Sequence, residues 1–296
     1  MMHPFLIVNP RAGRGRNSRG RHGGDRLGAD LERLRRAFAD HGLAVEVAVT
    51  ERPGHATELA RNAGGDPVVA VGGDGTVHEV LQGLDLQAQR LGIIPAGSGD
   101  DFAWQHGLGG GIEAAVARIA AGRERLVDVG QWEAGRFHNN LGFGFEAEVN
   151  RLSHRVRIVR GPALYFVALA RALATLRTHE LDLAWDGGSF SGRLATGALL
   201  NGSRVGGAFR LCPSARTDDG ALDLLTVGAM GRLAILTALG PVLQGKEPRD
   251  SRIARARTSR LSLRARAPLP VYMDGEYCGE HVSLEARVLP GALRLL

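Results

Sequence analysis

An acid sits where a phosphate would be expected. In "VGGDGTVHEV" (71–80), Asp74 lies inside a glycine turn that follows an apolar run, the setting in which backbone N–H groups cradle an anion. A carboxylate there repels phosphate unless a cation bridges the two or the acid binds something else. Magnesium resolves the conflict, because it takes one or two carboxylates together with water and phosphate oxygens, and it calls for further acids nearby. Candidates stand at other glycine-marked turns: Asp100 and Asp101 in "PAGSGDDF", Asp218 and Asp219 in "ARTDDGALD", Asp274 and Glu276 in "YMDGEYCGE". Each of these turns, taken singly, also reads as an ordinary β-turn. A further segment, "VNPRAGRGR" (8–16), sets Gly13 and Gly15 among Arg11, Arg14 and Arg16. It reads as an anion-binding loop or as a surface turn, and it lacks the GxxxxGK[ST] pattern of a P-loop.

The elements that must position these residues alternate in the first third of the chain. "FLIV" (5–8), "AVEVAVT" (44–50), "PVVAVGG" (67–73) and "RLGIIPAG" (90–97) read as strands. Residues 29–42 and 55–63 have helical spacing, and Val77, Val80, Leu81 and Leu84 form a helical stripe after the glycine turn. Such alternation predicts right-handed crossovers and a parallel sheet, with the turns at 11–15, 72–75 and 97–99 opening onto one sheet edge. Beyond residue 130 the pattern becomes short strand-like runs parted by glycines, among them "GRFHNNLGFGFEAEV", interrupted by two apolar helices near 161–176 and 230–244. This predicts a mostly antiparallel second domain beginning near Val127.

The composition fits a globular chain with a sizeable core: 296 residues, 44% hydrophobic and 23% charged. The net charge of +6 is almost wholly arginine, Lys246 being the only lysine. That surface suits nucleic acid, phospholipid headgroups or nucleotides, and it also follows from arginine-rich codon usage. Nucleic acid is disfavoured, since aromatics are 5% and none is interleaved with the arginine runs for base stacking. Cys212 and Cys278 stand in no metal-ligand spacing and read as reduced thiols of a cytoplasmic protein. No signal peptide is legible, and the longest apolar stretches fall short of a transmembrane segment. Residues 154–177, basic then apolar, and the basic run 249–266 read either as surfaces for an anionic bilayer or as packed and solvated elements.

The ordered set "VNPRAG", "VGGDGTVHEVLQGL", "GIIPAGSGDDFAW", "FRLCPSARTDDGALD" and "YMDGEYCGE" resembles the diacylglycerol kinase catalytic family, which includes bacterial soluble lipid kinases and the sphingosine and ceramide kinases. "GGDGT" alone is shared with NAD kinases; followed by "GSGDDFA" and a late "DGE" it is specific. The resemblance implies a Rossmann-like α/β ATP-binding domain of NAD-kinase type over 1–126, with the tail 288–296 as a candidate addition. A mainly antiparallel β-sandwich over 127–287 would take the lipid, with the active site in the cleft between the two. By the same resemblance, ATP contacts fall on Asn9, Pro10, Arg11, Ala12, Gly13, Thr50, Gly72, Gly73, Asp74, Gly75, Thr76, Val77, His78, Glu79 and Ser98. Asp74, Asp101 and Asp219 would form a magnesium-linked network, with Asp219 and the backbone at Arg216 and Ala221 holding a structural Mg2+. Glu276 would be the general base, with Asp274 beside it. Two positions depart from the family pattern: Asp100 replaces the usual Asn, and Ser98 the usual Thr. The implied activity is transfer of the γ-phosphate of ATP to a lipid alcohol at a membrane surface, the inner face of the membrane being one location and a homodimer one assembly. An NAD-kinase-like enzyme and a non-catalytic nucleotide- or lipid-binding protein are the alternatives.

Overall fold

The structure is a computed structural model that describes residues 2–12, 23–153 and 162–296. It divides into two compact units, Met1–Val127 with Gly291–Leu296, and Asp128–Pro290.

In the first unit, β1 (Phe5–Val8), α1 (Gly23–Ala39), β2 (Glu46–Val49), α2 (His55–Arg61), β3 (Val68–Gly72), α3 (Asp74–Gly83), β4 (Arg90–Pro95), α4 (Asp101–Gln105) and α5 (Gly111–Ala121) follow in order. Among the described residues β1, β2, β3 and β4 pair in parallel: Phe5 lies opposite both Glu46 and Val68, and Val68 opposite Leu91. The resulting order is β2-β1-β3-β4. β1 and β3 read as unbroken apolar runs because they are buried on both faces. Leu6, Val8, Val69, Val71 and Ile94 pack against Leu34 and Phe38 of α1 and Val116 and Ile119 of α5. The alternate residues Ile7, Ala70 and Ile93 point the other way and are equally buried.

β5 (Arg125–Trp132) leads into the second unit. There β6 (Gly135–Phe137), β7 (Asn140–Gly144), α6 (Phe145–Ser153), α7 (Pro162–Ala174), β8 (His179–Trp185), β9 (Gly188–Leu200), β10 (Leu222–Gly228), α8 (Arg232–Leu243), β11 (Ile253–Thr258), β12 (Arg260–Met273) and β13 (Glu276–Leu295) follow. The pairings β10–β11, β9–β10, β7–β9, β7–β12, β8–β12 and β12–β13 are all antiparallel. Their inward side chains, among them Phe137, Phe143, Leu183, Leu199, Leu263 and Leu284, form one core. Residues 291–295 at the end of β13 return to the first unit, where Arg294 and Leu295 pair in parallel with Arg90 and Leu91.

The strand-like run ending "FGFEAEV" is corrected: it turns helical at Phe145. Gly144 takes φ 80°, and a Cβ there would lie 2.6 Å from the Ala195 carbonyl oxygen, so the strand stops. Glu148 then favours the helix N-terminus, and the Glu146 N–H donates to Thr196 Oγ1 at 3.2 Å. Among the described residues no helix is long and apolar enough to cross a membrane.

Candidate active site

The turn that follows β3 is built by close backbone approach. Gly73 precedes α3 as its N-cap, and Gly97, just after the neighbouring β4, lies against it: a Cβ on Gly97 would stand 2.6 Å from Gly73 Cα. Only glycine at both positions lets these two turns stack, and Gly72 is covered in the same way by the Thr76 side chain. Gly75 faces open space. Asp74 is the first residue of α3, where a carboxylate complements the helix dipole, and its Oδ1 accepts the Phe102 N–H at 3.0 Å at the start of α4. This accounts for an acid in the glycine turn without any ligand. Asp74 Oδ2 has no hydrogen-bond partner among the described residues, and a hard oxygen of this kind fits magnesium. Asp101, the first residue of α4, is buried.

Asn9 ties the end of β1 to the same turn. Its Nδ2 donates to Thr76 Oγ1 at 3.0 Å, its Oδ1 accepts the Arg11 N–H at 2.9 Å, and its carbonyl accepts the Ala12 N–H at 3.1 Å, closing a turn over Pro10. A cleft of about 130 Å³ opens here, lined by Asn9, Arg11, Thr50, Thr76 and Glu79 among others. The Glu79 carboxylate also accepts the Ala56 N–H at the start of α2, at 3.2 Å. The structure thus gathers five of the expected nucleotide contacts around one space. Val77 and His78 are buried instead, on the inward side of α3, and Ser98 is exposed on the neighbouring turn. Gly13 lies outside the described residues.

In the second unit, "DGE" is a two-residue hairpin. β12 ends at Met273 and β13 starts at Glu276, while Asp274 and Gly275 take φ 49° and 92°, the two positive values that a type I′ turn needs. The Asp274 side chain is buried. Its carboxylate accepts the backbone N–H groups of His138 (2.9 Å), Asn139 (2.9 Å) and Asn140 (3.0 Å). From the other side Asn150 of α6 donates to the Gly275 carbonyl at 2.7 Å. Glu276 is exposed at the head of β13. The thiol of Cys278 beside it is pushed up to about 11 by burial and by the charges of Glu276 and Asp274, so no thiolate competes here.

Asp219 presents a different environment. Its Oδ1 accepts the Ala221 N–H at 3.3 Å and its Oδ2 pairs with Arg257 of β11. Arg216 pairs with Asp218, and the next amide, that of Gly220, donates to Asp128 at 2.7 Å. A cation at Asp219 competes with a guanidinium. Among the described residues no three His, Cys, Asp or Glu side chains gather as a metal cage.

The sequence profile described as the diacylglycerol kinase catalytic domain matches residues 3–132, and that described as the YegS C-terminal NAD kinase beta sandwich-like domain matches 139–296. The chain belongs to the diacylglycerol kinase family of lipid kinases. This kinase is 27% identical over 286 residues to a diacylglycerol kinase of Bacillus subtilis, covering 94% of its own chain and 91% of the relative. It is 34% identical over 281 residues to a Pseudomonas aeruginosa protein named "Probable lipid kinase YegS-like", covering 90% of each. A crystal structure of a diacylglycerol kinase from Bacillus anthracis shares the fold, with TM-score 0.74 and 23% identity over 99% of this chain and 96% of that one.

Asp100 occupies the left-handed region (φ 48°), which Asn and Asp tolerate best among non-glycine residues, and its Oδ1 accepts the Gly97 N–H at 3.0 Å. An amide oxygen would do the same, so the kinase keeps its turn despite the departure. The sequence reading missed the polar group beneath the hairpin: Asn140 donates to the Tyr272 hydroxyl, which donates to Glu146. Burial raises the Glu146 carboxyl to about 7, while the Tyr272 bond holds it down. Its one visible signal is "HNN", a pair of asparagines inside an apolar, glycine-rich run.

Proposed function

We propose that the kinase transfers the γ-phosphate of Mg-ATP to a hydroxyl of diacylglycerol or a related lipid alcohol, with Glu276 as general base. The observation that carries this is the hairpin. Asp274 is spent on three backbone donors, which fixes the turn and leaves Glu276 exposed at a rigid position. Phosphoryl transfer asks for positioning, charge neutralisation and a carboxylate to take the acceptor proton, rather than covalent chemistry from the protein. Asp274 is therefore a positioning residue.

The parallel order β2-β1-β3-β4 supports a Rossmann-like nucleotide-binding fold for the first unit, completed by residues 291–296, and the antiparallel unit serves as the lipid-substrate sandwich. The cleft of Asn9, Arg11, Thr50, Thr76 and Glu79 would hold ATP, and the N-terminus of α3 together with Arg11 would offset the charge of its phosphates. Asp74 would hold magnesium, which would supply neutralisation of the phosphate charge. Asp101 supports that site from α4. Asp219 takes an ion only in exchange for its Arg257 pair.

Transfer of labelled γ-phosphate to a panel of lipid alcohols in mixed micelles, with magnesium present or chelated, tests the reading. Product from a lipid alcohol with magnesium alone is expected. Product only from NAD, supplied in a parallel arm without lipid, overturns it.

A further inference from the structure

We propose that α8 docks the kinase on an anionic phospholipid surface, its exposed leucines entering the headgroup layer. This rests on the lipid-kinase reading above and names the surface that brings the enzyme to its acceptor.

α8 has two apolar faces. Ile235 and Val242 are the buried residues of α8, and Ile235 joins Leu173 of α7 and Met230 in one cluster against which Leu239 packs, which satisfies the helix's inward stripe. Leu233, Leu236 and Leu243 remain 79%, 47% and 43% exposed. At 100° per residue they fall within about 80° of one another, with Gly240 between them, on the side away from the core. Single exposed leucines are ordinary; three on one helix face, with no charge from Leu233 to Gly245, form a patch.

The charges at the helix ends select the occupant. Arg232 stands at the first position of α8, its guanidinium donating to the Ala174 carbonyl at the end of α7, while Lys246 and Arg249 follow the helix and are exposed. The acids in this stretch, Glu247 and Asp250, are already paired with Arg255 and Arg252. On α7, Arg171 is exposed and no acid is present. An apolar face bracketed by cations complements an anionic bilayer and suits an apolar partner protein less well. The helix also belongs to the same unit as the hairpin of Glu276. Phe145 of α6, Leu169 and Leu173 of α7 and Ile235 of α8 share a cluster, and Asn150 of α6 holds the hairpin that carries Glu276.

The test compares wild type with the double variant L233S/L236S in sedimentation with vesicles of phosphatidylcholine containing phosphatidylglycerol, without ATP. We expect the variant to lose roughly tenfold or more in vesicle affinity. It should phosphorylate a monomeric short-chain diacylglycerol as wild type does, which shows that it folds and keeps the kinase reading separate. Wild type that does not sediment, sedimentation unchanged by the substitutions, or equal binding to pure phosphatidylcholine each overturns the proposal. So does a concentration-dependent dimer that the substitutions dissolve, since the leucines would then bind a second copy.

Discussion

Asp74 Oδ1 accepts the Phe102 N–H at 3.0 Å, so the turn after β3 is bonded to the helix that follows β4. One carboxylate oxygen is structural, and the other is the one proposed to hold magnesium. Substitution separates the two. Asp74→Asn keeps an acceptor for Phe102 and should stay within about 0.5 kcal/mol of wild type, while Asp74→Ala should lose about 1 kcal/mol as a lost cap. Both should cut phosphate transfer at least roughly 100-fold and raise the magnesium needed for half-maximal rate. Thermal melts beside magnesium titrations check this, and a fully active Asp74→Asn removes the residue from the metal site.

Glu276 and Asp274 should part company in the same manner. Glu276→Gln alters an exposed group and should leave the melting temperature and ATP affinity unchanged, while kcat falls by about 10² to 10⁴. Asp274→Ala strands three backbone donors and should cost on the order of 3 kcal/mol or more, with kcat falling because the turn loosens. Calorimetry with single-turnover kinetics distinguishes them, and a Glu276→Gln enzyme at wild-type rate ends the base assignment.

Glu146 gives stability a pH dependence. Its carboxyl moves from an ordinary 4.5 to about 7 in the folded protein, chiefly through burial. Between those values the folded chain keeps a proton that the unfolded chain releases, so the contribution is complete below about 4.5 and is lost as pH rises through about 7. Its size is about 1 to 3 kcal/mol, since the residue retains some exposure. Denaturant unfolding across this window should show wild type losing stability relative to Glu146→Gln as pH rises. Tyr272→Phe, which removes the bond holding the value down, should push the loss to higher pH. Parallel curves for all three proteins would refute the assignment.

Asp100→Asn should be neutral in stability, because Asn accepts the left-handed backbone and can accept from Gly97. It should tighten ATP binding by roughly threefold, through loss of one negative charge beside the stacked turns. Asp100→Val, β-branched at positive φ, should instead destabilise by about 1 to 2 kcal/mol. Isothermal titration and melting curves on the pair test both statements, and weaker ATP binding by the Asn variant would contradict the charge argument.

Much of this was legible before the structure, for physical reasons that also mark the limits. β1 and β3 show themselves as apolar runs because both their faces are covered. The α3 stripe of Val77, Val80, Leu81 and Leu84 is buried as its spacing predicts. The same spacing turns Thr76 and Glu79 to the cleft and buries Val77 and His78 on the inward side of α3. The "DG" pair announces a tight hairpin, whereas the fate of the Asp274 side chain depends on amides at 138–140, far away along the chain. The start of α6 was hidden because "FGFEAEV" alternates like a strand and the backbone angle of Gly144 leaves no trace in its neighbours' residue types.

Leu295 pairs beside Leu91, and Leu296 is buried among Leu6, Phe38 and Ile119. The first unit therefore precedes the antiparallel unit in the chain, and its sheet and core are completed only after that unit has been made. Until the ribosome has released the whole antiparallel unit, β4 has an unpaired edge and the first core lacks one of its side chains. A nascent chain stalled before residue 291 should present that edge to chaperones, and the ability to bind ATP should arrive together with the ability to hold lipid.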